Sequence, residues 1–330
     1  MTRRQNFYGV ACAGNWIVDL LHTIDHWPQE NDLARITKAS SAIGGGAANV
    51  AFDLQAFGVS YPILPIGLIG KDEYGDRITA SCLNRRLSTE FLYESAHTVT
   101  AHTHVMTVQG HSRTFFYHGG ANDQFGSEHV PLQELRQRKT RLFYLGYLNL
   151  LEGLCIPAKN GISAATVILT EARSAGMITC VDLASANTHN FRSVVESALP
   201  AIDVLLCNEV EAAHATGLEI AASDDRGAIL TAAKALLGAG VKRAVVLHTP
   251  RLAIWKSPEI EILITADPLA TDEIVSPVGA GDAFAAGVLH GLHEGWNPTN
   301  ILRLAMRAGA ASLRGRGSSD EIPSLKTLMH

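Results

Sequence analysis

Short runs of apolar and β-branched residues recur along this chain and alternate with segments of helical period. The runs, which predict buried strands, are YGVACAG from Tyr8, YPILPIGLIG from Tyr61, RLFYLGYL from Arg141, MITCVDLA from Met177, IDVLLCN from Ile202 and RAVVLHT from Arg243. Helical spacing is found between them, for example from Ser163 to Ser174 and from Ala228 to Leu237. The alternation predicts an α/β fold with a mostly parallel central sheet flanked by helices on both faces.

Two segments interrupt this alternation because they lack helical period. They are Asp32 to Ile43 and Ser95 to Gly119, and the second is rich in Thr, Val and His around a turn at Gly110. Strands inserted into an α/β chain in this way are expected to form a small separate sheet, which we predict to be a lid over a pocket. No repeat or linker divides the sequence, so we expect one domain, 1–330, with lid insertions at about 32–43 and 95–119.

The composition argues for a compact protein and excludes some classes of partner. The chain has 330 residues, of which 47% are hydrophobic and 18% are charged. Its net charge is −5 and its pI is near 6.3. That balance gives no sign of nucleic-acid binding or of a basic membrane-facing surface.

The start of the chain and the cysteines both favour a cytoplasmic protein. The chain begins MTRRQNF, and the apolar run that follows is interrupted by Gly14, Asn15 and Asp19, which is typical of neither a signal peptide nor a membrane span. Five cysteines are an odd number and lie far apart, so we expect reduced thiols. They are Cys12, Cys82, Cys155, Cys180 and Cys207.

The stretch SPVGAGDAFAAGVLHGL, from Ser276 to Leu292, combines a glycine turn, a carboxylate and an apolar helix. Gly279, Ala280 and Gly281 would place unpaired N–H groups at the start of the helix, where they attract a phosphate or a developing phosphoryl charge. Asp282 follows at once. It has two candidate roles, to complement the helix dipole or to act as a general base toward a substrate hydroxyl.

A second glycine stretch, IGGGAANVAFDLQAFG, opens another helix. Gly44, Gly45 and Gly46 allow a ligand or another strand to approach the backbone closely, and the helix start offers free N–H groups. Asn49 lies on the first turn and could reach the same space. The alternative interpretation is a tight loop that packs against the sheet.

The stretch LLCNEVEAAHATG supplies a third candidate. Asn208 ends a predicted strand and Glu211 follows three residues later, which is typical of a helix N-cap with an N3 carboxylate that reaches back. Because Mg²⁺ prefers oxygen ligands, the same residues could instead serve a metal-bound water or a phosphate. The residues alone do not decide between these roles.

Together, these motifs resemble those of the ribokinase-like, or PfkB, family of carbohydrate kinases. The blocks GNWIVDL, GGGAANVAFDLQAFG, IGLIGKDEYG, NEVEA and PVGAGDAFAAG occur in the family's order and cover nearly the whole chain. The resemblance implies a ribokinase-like α/β fold with a small β lid. It also implies transfer of a phosphoryl group from ATP, with Mg²⁺, to a hydroxyl of a sugar or sugar-like substrate.

The resemblance also assigns roles to individual residues. It implies that Asp282 is the catalytic base and that the backbone of Gly279, Ala280 and Gly281 forms the anion hole. The substrate-binding residues that it implies are Asp19, Gly45, Gly46 and Asn49. Asn208 and Glu211 fall on the motif associated with Mg²⁺ and phosphate placement, with Glu211 as the metal-associated carboxylate.

This sequence departs from the family's pattern on the nucleotide side. Ser276 and Pro277 stand where relatives commonly carry Asp-Thr, which leaves activation by K⁺ open. The turn from His248 to Arg251 replaces a glycine-containing turn, and Arg251 is a candidate phosphate contact. Met306 stands where an Asn near the adenine is frequent and would offer apolar packing.

Two alternatives to a sugar kinase follow from these observations. A nucleoside kinase would need an apolar platform for the base, which Trp16, Phe115 and Tyr117 could provide. A sugar-binding regulatory protein with weakened nucleotide use would explain the departures on the nucleotide side. In either case we expect a small-molecule substrate, no nucleic-acid or membrane partner, and a homodimer formed through the lid.

Overall fold

Buried strands build the larger of two sheets in the computed structural model of the chain, which describes residues 8–108, 110, 113–156, 161–186, 190–267, 269–270, 273–276, 278–315 and 322–329. Its strands are β1 (Val10–Gly14), β4 (Ile63–Gly70), β5 (Phe91–Ser95), β8 (Leu142–Gly146), β9 (Ile178–Asp182), β10 (Val204–Asn208), β11 (Ala244–His248), β12 (Leu252–Lys256) and β13 (Glu261–Thr265). They lie in the order β13-β12-β11-β10-β9-β8-β1-β4-β5. Only the β11–β12 and β12–β13 pairs in this order are antiparallel.

Helices cover both faces of this sheet. They are α1 (Gly46–Phe57), α2 (Glu73–Asn84), α3 (Leu132–Gln137), α4 (Glu152–Cys155), α5 (Ala164–Ser174), α6 (Phe191–Ala198), α7 (Glu209–Thr216), α8 (Arg226–Gly238), α9 (Ala280–Glu294), α10 (Pro298–Ser312) and α11 (Leu325–Met329). One apolar core includes residues of α5 and α8, and the other includes residues of α1, α9 and α10. Within β1, Ala11 and Ala13 belong to the first core, whereas Val10 and Cys12 belong to the second. Burial on both faces therefore explains why these strands are continuous apolar runs.

A smaller sheet has the order β3-β2-β6-β7, with β2 (Ile17–Ile24), β3 (Ile36–Gly44), β6 (His102–Val108) and β7 (Thr114–His118). Three of its strands lie in the segments predicted to form a lid. The fourth, β2, was not predicted because it is only partly buried and its apolar pattern is interrupted by Asp19 and His22. This strand pairs with both β3 and β6, so it holds the lid sheet together.

The predicted fold class is confirmed. The predicted strand runs correspond to β1, β4 and β8 to β11, and the two predicted helices correspond to α5 and α8. All five cysteines are free and buried, as expected for reduced thiols. In the described parts of the chain, no helix is long and apolar enough to cross a membrane. The MTRRQNF segment lies outside the described residues.

Two buried histidines fix the C-terminal end of α9, one to the residue before β1 and the other to the segment before β4. His293 Nε2 accepts a hydrogen bond from the Gly9 N–H at 3.0 Å, and its Nδ1 bonds Glu294 at 2.8 Å. His290 Nδ1 lies 3.1 Å from the Tyr61 hydroxyl. Burial lowers the pKa of both imidazoles, so the folded state favours their neutral forms.

This arrangement predicts a loss of stability in mild acid. Since the unfolded state takes up a proton near pH 6.5 and folded His293 does so only at lower pH, stability falls as the pH drops below about 6.5. The variant His293→Gln should therefore lose ~2–4 °C less in Tm than the wild type between pH 7 and pH 5. Thermal melts at both pH values measure this. His97→Gln, at an exposed position, should keep the wild-type slope, and an equal slope in His293→Gln would refute the explanation.

Candidate active site

A buried carboxylate stands at the opening of α9. Asp282 is 3% exposed and lies in the first turn of the helix. Its Oδ2 accepts hydrogen bonds from Asn49 Nδ2 and from the Tyr147 hydroxyl, each at 2.8 Å. Its Oδ1 is also buried and has no hydrogen-bond partner among the described residues. One oxygen of the carboxylate is therefore held in place, and the other is buried without a hydrogen-bond partner among the described residues.

Burial and hydrogen bonding act in opposite directions on the pKa of Asp282. Burial raises the pKa to about 6, and the negative charge of Asp19 adds to this rise. The hydrogen bonds from Asn49 and Tyr147 lower it. A carboxyl group with this pKa is mostly ionised at neutral pH and is a stronger base than an ordinary aspartate, which suits general-base chemistry.

The glycine turn in front of Asp282 is shaped as a helix start. Gly279 is the N-cap residue of α9 and has φ 85°, a left-handed conformation that favours glycine. Because the first N–H groups of a helix have no acceptor within it, the turn formed with Ala280 and Gly281 offers donors to an anion. Ser276 supports the turn, since its Oγ accepts the Val278 N–H at 3.2 Å. Pro277 lies outside the described residues.

The predicted substrate-binding residues other than Asp19 lie where β3 enters α1. A side chain at Gly44 would collide with the Asp19 carboxylate, and Gly45 has φ 96°. At Gly46 an added Cβ would lie 2.9 Å from the ring of Tyr147. Asn49, one turn into α1, contacts Asp282 directly. The structure therefore brings the glycine stretch and the catalytic candidate into one site.

Asp19 faces this site from the lid sheet. It pairs with Thr103 of β6 in register, and Thr103 pairs with Tyr117 of β7, so the three residues share one face of the sheet. Burial raises the pKa of Asp19 to about 6, against a hydrogen bond from Thr103 and the positive charge of Arg113. Arg113 was not identified from the sequence, and its charge interaction with Asp19 became evident only from the structure.

Tyr147 was also not identified from the sequence. It follows β8 directly and adopts φ 53° and ψ 50°. The run RLFYLGYL predicted a buried strand and gave no reason to treat its second tyrosine as part of a site. A usable signal existed, because residues just beyond the carboxyl ends of parallel strands commonly line ligand sites in such sheets.

Asn208 and Glu211 form the predicted capping box at the start of α7. The Asn208 side chain accepts the Glu211 N–H at 2.9 Å, and Glu211 Oε2 accepts the Asn208 N–H at 2.8 Å. Glu211 Oε1 also accepts hydrogen bonds from Asn208 Nδ2 and from the Ser185 hydroxyl. The structural role is therefore present, and the network holds the Glu211 carboxylate at the edge of the sheet.

A second carboxylate, Asp182, ends β9 beside Glu211. Tyr144 donates to its Oδ2 at 3.3 Å, and the Leu183 N–H donates to its Oδ1 at 2.9 Å. Burial and the negative charge of Glu211 raise the pKa of Asp182 well above its usual range. Burial raises the pKa of Glu211 to about 7. The sequence predicted the strand that Asp182 ends, but not this pairing, which depends on the order of β9 and β10.

This part of the site suits a hydrated Mg²⁺ that is shared with phosphates. In the described part of the chain, no group of three or more His, Cys, Asp or Glu side chains is arranged to hold a metal ion. Mg²⁺ usually keeps several waters and uses one or two carboxylates together with substrate phosphates. A nearby cation would also relieve the repulsion between Asp182 and Glu211.

Of the nucleotide-side candidates, His248 lies beside the opening of α9. The ring of His248, at the end of β11, packs 4.6 Å from the ring of Phe284 and lies beside Gly281. Burial lowers the pKa of His248 to about 4, so it is neutral at pH 7. Arg251 lies in the turn after β11 with an exposed side chain, and Met306 is half-buried on α10. Their contacts with a nucleotide remain predictions.

The lid carries histidines that stack against one another. His102 stacks on His118 with ring centres 4.9 Å apart, and His22 stacks on His104 at 5.6 Å. Stacked rings do not converge on one point, so a metal site is not favoured here. His111, in the same predicted segment, lies outside the described part of the chain.

The aromatic residues considered for a nucleobase platform differ in accessibility. Trp16 is fully buried, and its Nε1 donates to the Ile66 carbonyl at 3.0 Å, so it is a core residue. Phe115 is 56% exposed and Tyr117 is 37% exposed, and both belong to β7 of the lid. Of these three residues, only the two in the lid are accessible to a base.

Comparisons with known protein sequences find relatives that are named as kinases. An adenosine kinase of Saccharomyces cerevisiae is 23% identical over 292 residues, which cover 88% of this chain and 83% of that protein. A probable chloroplastic fructokinase of Arabidopsis thaliana is 25% identical over 331 residues, covering 96% of this chain and 80% of that protein. These relatives carry names of kinases that differ in their acceptors.

Solved structures show the same fold. A ribokinase of Arabidopsis thaliana complexed with ribose and ATP superposes with a TM-score of 0.79 at 21% identity, covering 97% of this chain and 96% of that one. A nucleoside kinase of Methanocaldococcus jannaschii superposes with a TM-score of 0.72 at 14% identity, covering 98% and 97%. The pfkB carbohydrate kinase family matches residues 9–325. The chain therefore belongs to the pfkB family of carbohydrate kinases and is a phosphotransferase.

Proposed function

We propose that this protein transfers the γ-phosphoryl group of ATP to a hydroxyl of a sugar or sugar-like substrate. The observation that carries the proposal is Asp282, a buried carboxylate with one oxygen fixed and the other unpartnered among the described residues, directly behind a glycine turn. In this arrangement a base and an anion-binding helix start serve the same reacting group.

The residues have distinct tasks in the reaction. Asp282 Oδ1 takes the proton of the acceptor hydroxyl as that oxygen bonds the γ-phosphorus and the bond to the ADP oxygen breaks. The N–H groups of Gly279, Ala280 and Gly281 stabilise the charge on the phosphoryl oxygens. Asp19 and Asn49 orient the acceptor. Glu211 and Asp182 would hold Mg²⁺ through its waters, and that ion supplies charge neutralisation on the phosphates.

A free sugar is the acceptor that we favour. Asp19 and Asn49 present a carboxylate and an amide to the site, which suit the hydroxyl groups of a sugar. The ribokinase named above was solved with ribose and ATP. A nucleoside is the second candidate, because Phe115 and Tyr117 remain as exposed aromatic residues on β7 and because an adenosine kinase is among the relatives.

We also propose a setting for this activity. The protein acts as one kinase domain in the cytoplasm, and its lid sheet forms a homodimer contact. Trp27 and Phe116 support the contact, since they are exposed and stack with ring centres 6.4 Å apart at the lid. Activation by K⁺ is tested together with the acceptor.

The base assignment predicts that Asp282→Asn loses turnover. Removing the proton acceptor should lower kcat on the order of 100-fold to 10,000-fold. The variant should remain folded. Because the pKa of Asp282 is raised to about 6 in the folded state, ionising this carboxylate lowers the stability of the wild type as the pH rises to about 6, and the variant avoids that loss. Its Tm at pH 8 should therefore equal or exceed that of the wild type. Steady-state kinetics and thermal melts measure both effects.

Asp225→Asn is the matched control, since Asp225 is the N-cap residue of α8 and lies at an exposed position. It should retain wild-type turnover. A loss of less than tenfold in folded Asp282→Asn protein would remove Asp282 from the role of base.

The carboxylate pair predicts a dependence on Mg²⁺. Glu211→Gln keeps a side chain able to complete the capping box but removes the charge, so the Mg²⁺ concentration for half-maximal activity should rise ~10-fold to 100-fold. Glu209→Gln is the matched control, because Glu209 lies two residues earlier in the same first turn. Equal Mg²⁺ dependence in both variants would contradict the assignment of Glu211.

The acceptor is tested by ATP consumption against free sugars, sugar acids and nucleosides, with Mg²⁺ and with or without K⁺. We expect turnover on a free sugar, with KM values in the range of ordinary metabolic kinases. Turnover on nucleosides alone would favour the second candidate. If no compound supports ATP consumption, and the Tm rises with a sugar but not with ATP, the protein would be a sugar-binding regulatory protein rather than a kinase.

A further inference from the structure

The hydroxyl of Tyr147 has no task in the mechanism above, although it contacts the catalytic base. It donates to Asp282 Oδ2 at 2.8 Å. The residue has φ 53° and ψ 50°, a left-handed conformation that is rare for a bulky side chain. Backbone strain of this kind persists only where the surroundings impose it, and it is concentrated at functional sites.

Neighbouring groups impose this conformation. Asn15 Nδ2 donates to the carbonyls of Gly146 at 3.0 Å and Tyr147 at 3.2 Å. The Leu150 N–H donates to the Tyr147 carbonyl at 2.9 Å. On the other side the ring packs on Gly46, where a Cβ would lie 2.9 Å away. Asn15 follows β1 and Tyr147 follows β8, so the turn is locked where two adjacent strands end.

We propose that Tyr147 is a positioning residue for Asp282: together with Asn49 it fixes Oδ2, which leaves the buried Oδ1 directed at the acceptor hydroxyl. The inference rests on the proposed role of Asp282 as base. It assigns the strained turn after β8 to catalysis rather than to packing, because the hydroxyl and not the ring makes the contact with the base.

The electrostatic surroundings make this hydrogen bond important. The titratable groups whose charges interact with that of Asp282 are Asp19 from β2, Tyr144 from β8, Asp182 from β9 and Glu211 from α7, and the neutral His248 of β11 lies beside Gly281. Among the described residues, no cationic side chain contributes to lowering the pKa of Asp282, which is lowered only by Asn49 and Tyr147. Burial and nearby carboxylates raise the pKa of Tyr147 well above 10, so its hydroxyl remains a donor throughout the working range.

The first test is the pH profile of Tyr147→Phe, which keeps the ring on Gly46 and removes only the hydroxyl. We expect kcat to fall ~10-fold, and the acid limb of kcat/KM to move about one pH unit higher, since a hydrogen bond to a charged group has about that effect. KM for ATP should change less than twofold. Tyr144→Phe is the matched control, because that hydroxyl donates to Asp182 instead. Its acid limb should stay at the wild-type position.

The second test needs no activity. Unfolding free energy is measured against pH for the wild type, Tyr147→Phe, Asp282→Asn and the double variant. The wild type is compared with Asp282→Asn, and Tyr147→Phe with the double variant. The difference in unfolding free energy within each pair reports the titration of Asp282. Because the pKa of Asp282 is higher in the folded state, ionisation of Asp282 lowers the unfolding free energy between about pH 4, its unfolded pKa, and its folded pKa. In Tyr147→Phe the folded pKa is expected to be higher, so the unfolding free energy should keep falling to a pH about one unit higher.

The outcomes separate the two claims. A shift in both the acid limb and the stability difference supports the positioning role. If the stability difference shifts but the protein phosphorylates none of the compounds tested, the proposed function is wrong, whereas the hydrogen bond from Tyr147 to Asp282 is still supported. If neither curve moves, Tyr147 only packs against Gly46 and the inference is wrong.

Discussion

The site depends on one constraint, the burial of a carboxylate that must remain ionised. Asp282 is almost fully shielded from solvent, and the negative charge of Asp19 opposes its ionisation. The helix start of α9 and the two hydrogen bonds to Oδ2 compensate. These supports come from α9, α1 and the turn after β8, so the carboxylate is stabilised only in the complete fold.

The order of the strands is what brings these supports together. The chain runs from β1 to β4 on one side and places β8 on the other side of β1. Because the order of the strands reverses at β1, the carboxyl ends of β1 and β8 border a crevice, as is general for open α/β sheets. Asn15 bridges it by bonding the backbone after β8. The lid sheet adds Asp19 from above, and β9 and β10 add Asp182 and Asn208 from the side.

The sequence allowed the central strands to be predicted because burial on both faces makes them continuous apolar runs. It also indicated Asp282, Asn49 and the Asn208–Glu211 cap, whose roles leave local patterns of glycine and polar residues. Tyr147, Asp182 and β2 were missed. Their contacts depend on strand order and register rather than on neighbours in sequence, and Tyr147 and Asp182 lie within runs that otherwise predict only strands. Trp16 shows the converse, since a residue that could line a site is buried in the core.

The measurement that tests this account most directly is the wild-type kcat/KM as a function of pH on its best acceptor. If the buried carboxylate is the base, the rate should fall below an apparent pKa of about 6, since the free enzyme is active only with Asp282 ionised. A rate that stays flat down to pH 4.5 in folded protein would contradict the account, because it would mean that no group with the raised pKa of Asp282 takes the proton.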